Sequence, residues 1–162
     1  LVRDRTVNAF ALPGGYIVIT DDLVKLLADQ PDAVVGVLAH ELGHVHHRHG
    51  LDLMVRASLI SALVGVVLGD TSGFLATVPA TLATQAYSRD AERAADTFAA
   101  RLLHESGTSP SVMVAFFERI QQQEQQGGED EEEGEGAALP IAISSHPDHV
   151  ERIRFFKEWR PD

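Results

Sequence analysis

The chain has 162 residues, of which 44% are hydrophobic and 23% are charged, and this composition predicts one globular domain over residues 1–162 with a sizeable core. The absence of cysteine excludes a disulfide scaffold, a thiolate nucleophile and a cysteine-ligated zinc site. The formal net charge is −11, and removing the seven acidic residues of segment 121–138 leaves −4, so we expect no nucleic acid as a partner.

A β-hairpin is predicted near the start of the chain, where residues 7–20 read VNAFALPGGYIVIT. Pro13-Gly14-Gly15 is a turn signal between two short apolar runs, and Tyr16–Thr20 is rich in residues that favour strands. Residues 21–29 are typical of a short helix, and either Thr20 or Asp21 is suited to be its N-cap.

The remaining predicted elements are helices. Pro31 and Asp32 open a helix, and Gly50 is expected to follow its end. Further helices are predicted at 87–105 with Ser88 as the cap, at 111–123 and near 148–159. The acidic, glycine- and glutamine-rich segment 121–138 cannot bury much apolar area, so we expect a mobile loop there. These elements predict an α+β, helix-dominated fold with a small hairpin or sheet beside the first long helix.

Residues 57–86 are nearly uncharged, with Asp70 as their one ionised group. The longest apolar stretch, residues 57–68, is about 12 residues long, whereas a membrane span needs about 20. We therefore expect two short buried helices around a turn at 69–73. A hairpin that dips into a membrane is the competing interpretation.

The sequence His40-Glu41-Leu42-Gly43-His44 is an H-E-x-x-H motif on a predicted helix. Residues four apart share a helix face, so both imidazoles can bind one zinc ion, while Glu41 projects to the side as a general base for water. A solvated, histidine-rich helix face is the alternative, because five of the eight histidines lie at positions 40–49. The glutamate at the second position and the apolar flank of the helix favour the zinc site. Three further histidines of this segment are not expected to be ligands: His46, His47 and His49.

A third ligand must come from a second rigid element. Glu92 and Asp96 lie four apart on the predicted helix 87–105, so one could bind zinc while the other holds a ligand histidine by its second nitrogen. The alternative is a solvated helix surface on which these acids pair with neighbouring arginines, Arg89, Arg93 and Arg101. From the residues alone, that alternative is favoured.

Four blocks occur in order along the chain: VNAFALPGGYIVIT, HELGHVHHRHG, YSRDAERAADTFA and SHPDHVERI. Together they resemble metallopeptidase family 48, which includes the CAAX prenyl endopeptidases and the HtpX-like, BepA-like and Oma1-like proteases. The resemblance implies a zincin-like domain of the gluzincin type with one zinc ion per chain. It also implies that Glu92 is the third zinc ligand and that Asp96 contacts His40.

The resemblance further implies how a substrate binds. The edge strand of the hairpin, Tyr16–Thr20, would pair with the substrate backbone through Tyr16, Ile17, Val18 and Ile19. His146 of the S-H-P block would lie near the metal and contact either the ion or the reacting carbonyl. The expected catalytic residues are therefore Glu41 and His146.

The expected function is a zinc metalloendopeptidase that hydrolyses internal peptide bonds of proteins, in cell-envelope protein quality control. Family resemblance places it in the periplasm or at a membrane, and the short apolar stretches of 57–86 favour a soluble or peripheral member. The chain begins at Leu1 rather than Met, so we expect a fragment of a longer precursor. A zinc-binding but proteolytically silent module and a zinc aminopeptidase are the rival interpretations.

Overall fold

The computed structural model describes residues 1–3, 6–68, 87–127 and 149–161, and within them it contains a two-stranded sheet and six helices. In chain order these are β1 (Ala9–Leu12), β2 (Tyr16–Ile19), α1 (Asp21–Leu26), α2 (Pro31–His46), α3 (His49–Leu68), α4 (Arg89–Glu105), α5 (Val112–Gly127) and α6 (His149–Glu158). The predicted α+β, helix-dominated class is confirmed.

The predicted hairpin is present, with β1 antiparallel to β2 and Leu12 opposite Tyr16. Gly14 and Gly15 in the turn have φ angles of 96° and 89°, a conformation that glycine adopts without steric cost. Thr20 connects the hairpin to α1. Its hydroxyl accepts a hydrogen bond from the Leu23 amide as the helix N-cap and donates to the Asn8 carbonyl at 3.0 Å.

Helix α2 is the central element, since it packs against α3, α4, α5 and both strands. Two glycines let neighbouring helices approach its backbone. A Cβ atom at Gly36 would lie 2.7 Å from the sulfur of Met113 on α5, and one at Gly43 would lie 2.8 Å from the Ala95 backbone on α4. The apolar core lies mainly where α1, α2, α4, α5 and α6 meet, and its largest fully buried apolar side chains are Leu23, Leu27, Leu103, Met113, Phe117, Ile120 and Phe156.

The end of α2 differs from the prediction. Gly50 lies inside α3 and does not terminate α2. The helix ends at His46 because the Arg48 amide donates to the Val45 carbonyl, three residues back rather than four, and Arg48 takes a φ of 58°. A non-glycine residue thus makes the left-handed turn that redirects the chain into α3.

Two other predicted boundaries also differ. A single helix of 20 residues, α3, runs from His49 to Leu68, where a shorter helix from residue 57 was expected, and Leu59 on it is exposed rather than buried. The predicted turn at 69–73 and the second short helix lie outside the described residues. Helix α5 continues to Gly127, so the first part of the predicted mobile loop 121–138 is helical. Within the described ranges, no helix is both long and apolar enough to cross a membrane.

Candidate metal centre

Helices α2 and α4 bring His40, His44 and Glu92 together in the interior. The two histidine Nε2 atoms are 3.0 Å apart, and carboxylate oxygens of Glu92 lie 3.4 Å from His40 Nε2 and 3.3 Å from His44 Nε2. In a tetrahedral zinc site with bonds of about 2.0–2.1 Å, ligand atoms are about 3.3–3.4 Å apart. The three donors therefore form a triangle that fits one zinc-sized ion with a fourth position left over.

The burial of α4 excludes the solvated-surface alternative for its two acids. Glu92 and Asp96 are only 3% and 2% exposed, and they lie on the face of α4 that packs against α2. The neighbouring arginines of that alternative, Arg89, Arg93 and Arg101, lie on the exposed face. Glycine at position 43 explains how α4 comes close enough to α2 for Glu92 to reach both histidines.

Arg152 on α6 is a further member of the site that the sequence reasoning missed. Its guanidinium donates two hydrogen bonds to the carboxylate of Asp96, at 2.8 and 2.7 Å, and a third nitrogen lies 2.9 Å from Glu92. The side chain is 5% exposed, and its guanidinium carbon lies 4.8 Å from the centre of the Phe117 ring. A sequence signal did exist, because an arginine four residues before the buried Phe156 lies on the apolar face of its helix.

The formal charges of this cluster support a divalent cation. Within the described ranges, the buried carboxylates of Glu41, Glu92 and Asp96 are opposed by one buried guanidinium, that of Arg152. Buried charges are strongly destabilising unless they are compensated, and in the metal-free protein a proton on His40 adds one further positive charge. An ion of charge +2 that replaced this proton at the donor triangle would balance the three carboxylates together with Arg152.

The second ring nitrogen of His40 contacts Asp96. Nδ1 of His40 lies 2.9 Å from the Asp96 carboxylate. Burial and then the Arg152 charge would lower the pKa of His40, but its contacts with Asp96 and Glu92 outweigh both and raise it to about 9. Without a metal, His40 is therefore protonated at neutral pH, and a metal ion must displace that proton to bind.

His44 is held on two sides by aromatic rings. Its Nδ1 lies 3.0 Å from Nδ1 of His49, and the Tyr87 ring stacks on it with the centroids 4.0 Å apart. Burial is the largest cause that lowers the pKa of His49, and the proximity of His47 adds to it. Burial, with the nearby Glu41 and Glu92 carboxylates, raises the pKa of Tyr87, so its hydroxyl stays protonated.

The other predicted site residues have different outcomes. Glu41 is buried beside His40 on α2, and its charge raises the pKa values of Tyr87 and Arg152. His146 lies outside the described residues, so its position near the metal stays a prediction. His149, at the start of the last helix, is half-buried against Phe117.

The predicted substrate strand forms β2, and its role stays a prediction. A cavity of about 410 Å³ extends from His44 to the turn of the hairpin. From the strands it is lined by Ala11 and Leu12 of β1 rather than by residues of β2. At the outer edge of β2, the Ile19 carbonyl already accepts a hydrogen bond from the Val2 amide at 2.9 Å.

Comparison with known proteins gives a consistent match along the chain. The sequence model of peptidase family M48 matches residues 1–160. The chain is 30% identical to the mitochondrial metalloendopeptidase OMA1 of Schizosaccharomyces pombe, over 100% of this chain and 46% of that protein. It is 30% identical to a putative beta-barrel assembly-enhancing protease of Vibrio cholerae, over 98% of this chain and 33% of that protein. It is 29% identical to the metalloprotease YcaL of Escherichia coli, over 94% of this chain and 58% of that protein. The chain thus spans between a third and somewhat over half of these relatives.

Proposed function

Because the chain belongs to peptidase family M48, we propose that it is the catalytic domain of a zinc metalloendopeptidase that hydrolyses internal peptide bonds of proteins. The observation that carries this proposal is the buried triangle of His40, His44 and Glu92, together with the buried Glu41 that follows His40 in α2. Two imidazoles and one carboxylate are a donor set that suits catalytic zinc, and three protein ligands leave the fourth position open.

In this proposal, each residue has a separate role. His40, His44 and Glu92 would hold the zinc ion, which would act as a Lewis acid and would lower the pKa of a bound water to about 7. Glu41 accepts a proton from that water and passes it to the leaving amine. Asp96 orients His40 through its Nδ1 atom.

We propose that His146 completes the catalytic group. If it donates a hydrogen bond to the developing oxyanion, His146→Ala should lower kcat by about 10²–10³-fold while zinc is retained. If it occupies the fourth zinc position at rest, the same variant should raise activity. Zinc content, kcat and KM of the variant distinguish these roles, and unchanged values of all three would remove His146 from the site.

The substrate backbone is proposed to pair with β2, at Tyr16–Ile19. The Thr20 amide donates to the Asn8 carbonyl across the hairpin, so the alternation of antiparallel pairing turns the backbone groups of Ile17 away from β1. Ile17→Pro should therefore raise KM for a peptide substrate without lowering zinc content. If Ala11→Pro raises KM and Ile17→Pro does not, the substrate pairs with β1 instead.

For the whole protein, we propose a location in a cell envelope or at a membrane, with protein substrates there. One relative is a mitochondrial metalloendopeptidase and another is named for enhancing β-barrel assembly, which supports this location. Fractionation of cells that express the full-length protein tests it, since recovery in the cytosolic fraction alone would contradict an envelope location.

The proposed function is tested with the purified 162-residue chain and unfolded casein. The parent should contain about one zinc ion per chain, produce internal fragments, and lose zinc and activity together in a chelator. Glu41→Gln should keep zinc but lose nearly all turnover, because the ligands remain while the base is gone. Glu118→Gln is a matched control on an exposed part of α5 and should behave like the parent. Full cleavage in chelator, or full activity of Glu41→Gln, would contradict the proposal, and release of single N-terminal residues would indicate an aminopeptidase.

A further inference from the structure

The second nitrogen of His44 has an unusual partner for a metal-binding histidine. His40 turns its Nδ1 atom toward the carboxylate of Asp96 at 2.9 Å, whereas His44 turns its Nδ1 atom toward another imidazole, Nδ1 of His49, at 3.0 Å. We propose that His49 is a positioning residue that accepts a hydrogen bond from His44 and so fixes the ring for metal binding. This inference rests on the proposed metal site.

The direction of this hydrogen bond follows from the geometry of the donor triangle. His44 points its Nε2 atom at His40 and Glu92, so that nitrogen must be unprotonated when it binds a metal. The single proton of the neutral ring is then on Nδ1, and Nδ1 of His49 must accept it. His49 in turn carries its own proton on Nε2.

The turn between α2 and α3 places His49 at this position. If α2 continued as one helix, residue 49 would lie farther along the helix axis than His44. The left-handed conformation of Arg48 instead ends α2, and α3 starts at His49. The rings of His44 and His49 then meet edge to face, with their centroids 5.0 Å apart. The His47 ring stacks on the His49 ring, with the centroids 5.3 Å apart.

Three variants in the zinc-loaded chain test this role. His49→Phe keeps a ring that can stack on His47 but has no acceptor, and it should weaken zinc affinity about 10–100-fold in competition with a chromogenic chelator. His49→Asn places an amide oxygen near the position of Nδ1, and it should restore affinity to within about threefold of the parent. His46→Phe is the matched control, since His46 stacks on Phe98 and should leave affinity unchanged.

Nitrogen-15 NMR of the zinc-loaded parent gives a second readout that does not depend on how well a variant folds. It should show a protonated Nδ1 on His44 and an unprotonated, hydrogen-bonded Nδ1 on His49. If the parent binds zinc but His49→Phe keeps full zinc affinity, the positioning role is overturned while the proposed function stands. The same holds if the parent binds zinc and its His49 carries the proton on Nδ1. A parent that binds no zinc would instead overturn the proposed function.

Discussion

Replacement of Arg152 by methionine tests the charge balance of the buried cluster most directly. Methionine keeps most of the length and the apolar part of the side chain but removes the guanidinium that binds Asp96 and Glu92. In the metal-free protein, both carboxylates then lose a cationic partner while they remain buried.

The expected loss of stability follows from that burial. Removing one member of a buried ion pair costs about 3–5 kcal/mol, because the remaining charge is uncompensated. For a chain of this length, each kcal/mol lowers the unfolding midpoint by about 2–4 °C, so the metal-free variant should unfold about 6–20 °C below the parent. Saturating zinc should narrow the difference, because a bound cation compensates Glu92.

Thermal and urea unfolding of the metal-free proteins, followed by circular dichroism, measure this loss. Arg154→Met is a matched control, because Arg154 lies on the same helix but is exposed and pairs with exposed Glu158. Exposed pairs contribute about 0–1 kcal/mol, so this control should unfold close to the parent. Equal stabilities of the two variants would refute the argument that Arg152 compensates the buried carboxylates.

Three further predictions concern the metal and its support. Glu92→Ala should lose zinc on dialysis, as measured by elemental analysis, and retention of parent affinity would move the third ligand to Asp96. Zinc binding at pH 7 should release the proton that His40 holds with its pKa of about 9, so zinc affinity should rise with pH and level off above about pH 9. Calorimetry in two buffers of different ionisation enthalpy measures how many protons are released. A measurement of no released proton would contradict the raised pKa. Gly43→Ala would place a Cβ atom 2.8 Å from the α4 backbone, so it should lower the free energy of unfolding by about 1–3 kcal/mol and weaken zinc binding. In Gly36→Ala the new Cβ atom meets the flexible side chain of Met113, so this control should leave zinc affinity unchanged. Equal zinc affinities of the two alanine variants would contradict a role for the close approach at position 43.

Local patterns in the sequence were sufficient for the hairpin, for the presence of most helices and for the shared face of His40 and His44, but not for the ends of α2, α3 and α5. The spacing of His40 and His44 places both on one helix face, because a helix repeats every 3.6 residues. The turn at Gly14-Gly15 and the caps at Thr20 and Ser88 were predictable for the same kind of reason, since each depends on residues within a few positions. These features need no knowledge of how the elements pack.

Only the tertiary structure decided whether Glu92 and Asp96 are surface acids or acids buried beside His40 and His44. From the residues alone, the surface alternative was the stronger one, and the choice depends on which face of α4 packs against α2. Arg152 is bound to Asp96 across 56 residues of sequence, a separation at which local periodicity carries no information. The contact of His49 with His44 likewise depends on the backbone turn at Arg48. This arginine takes a left-handed conformation that is more typical of glycine, so the sequence did not predict the turn. Burial makes these long-range pairings energetically decisive, because a carboxylate that leaves water requires a partner, and only the packing of the helices determines which partner is within reach.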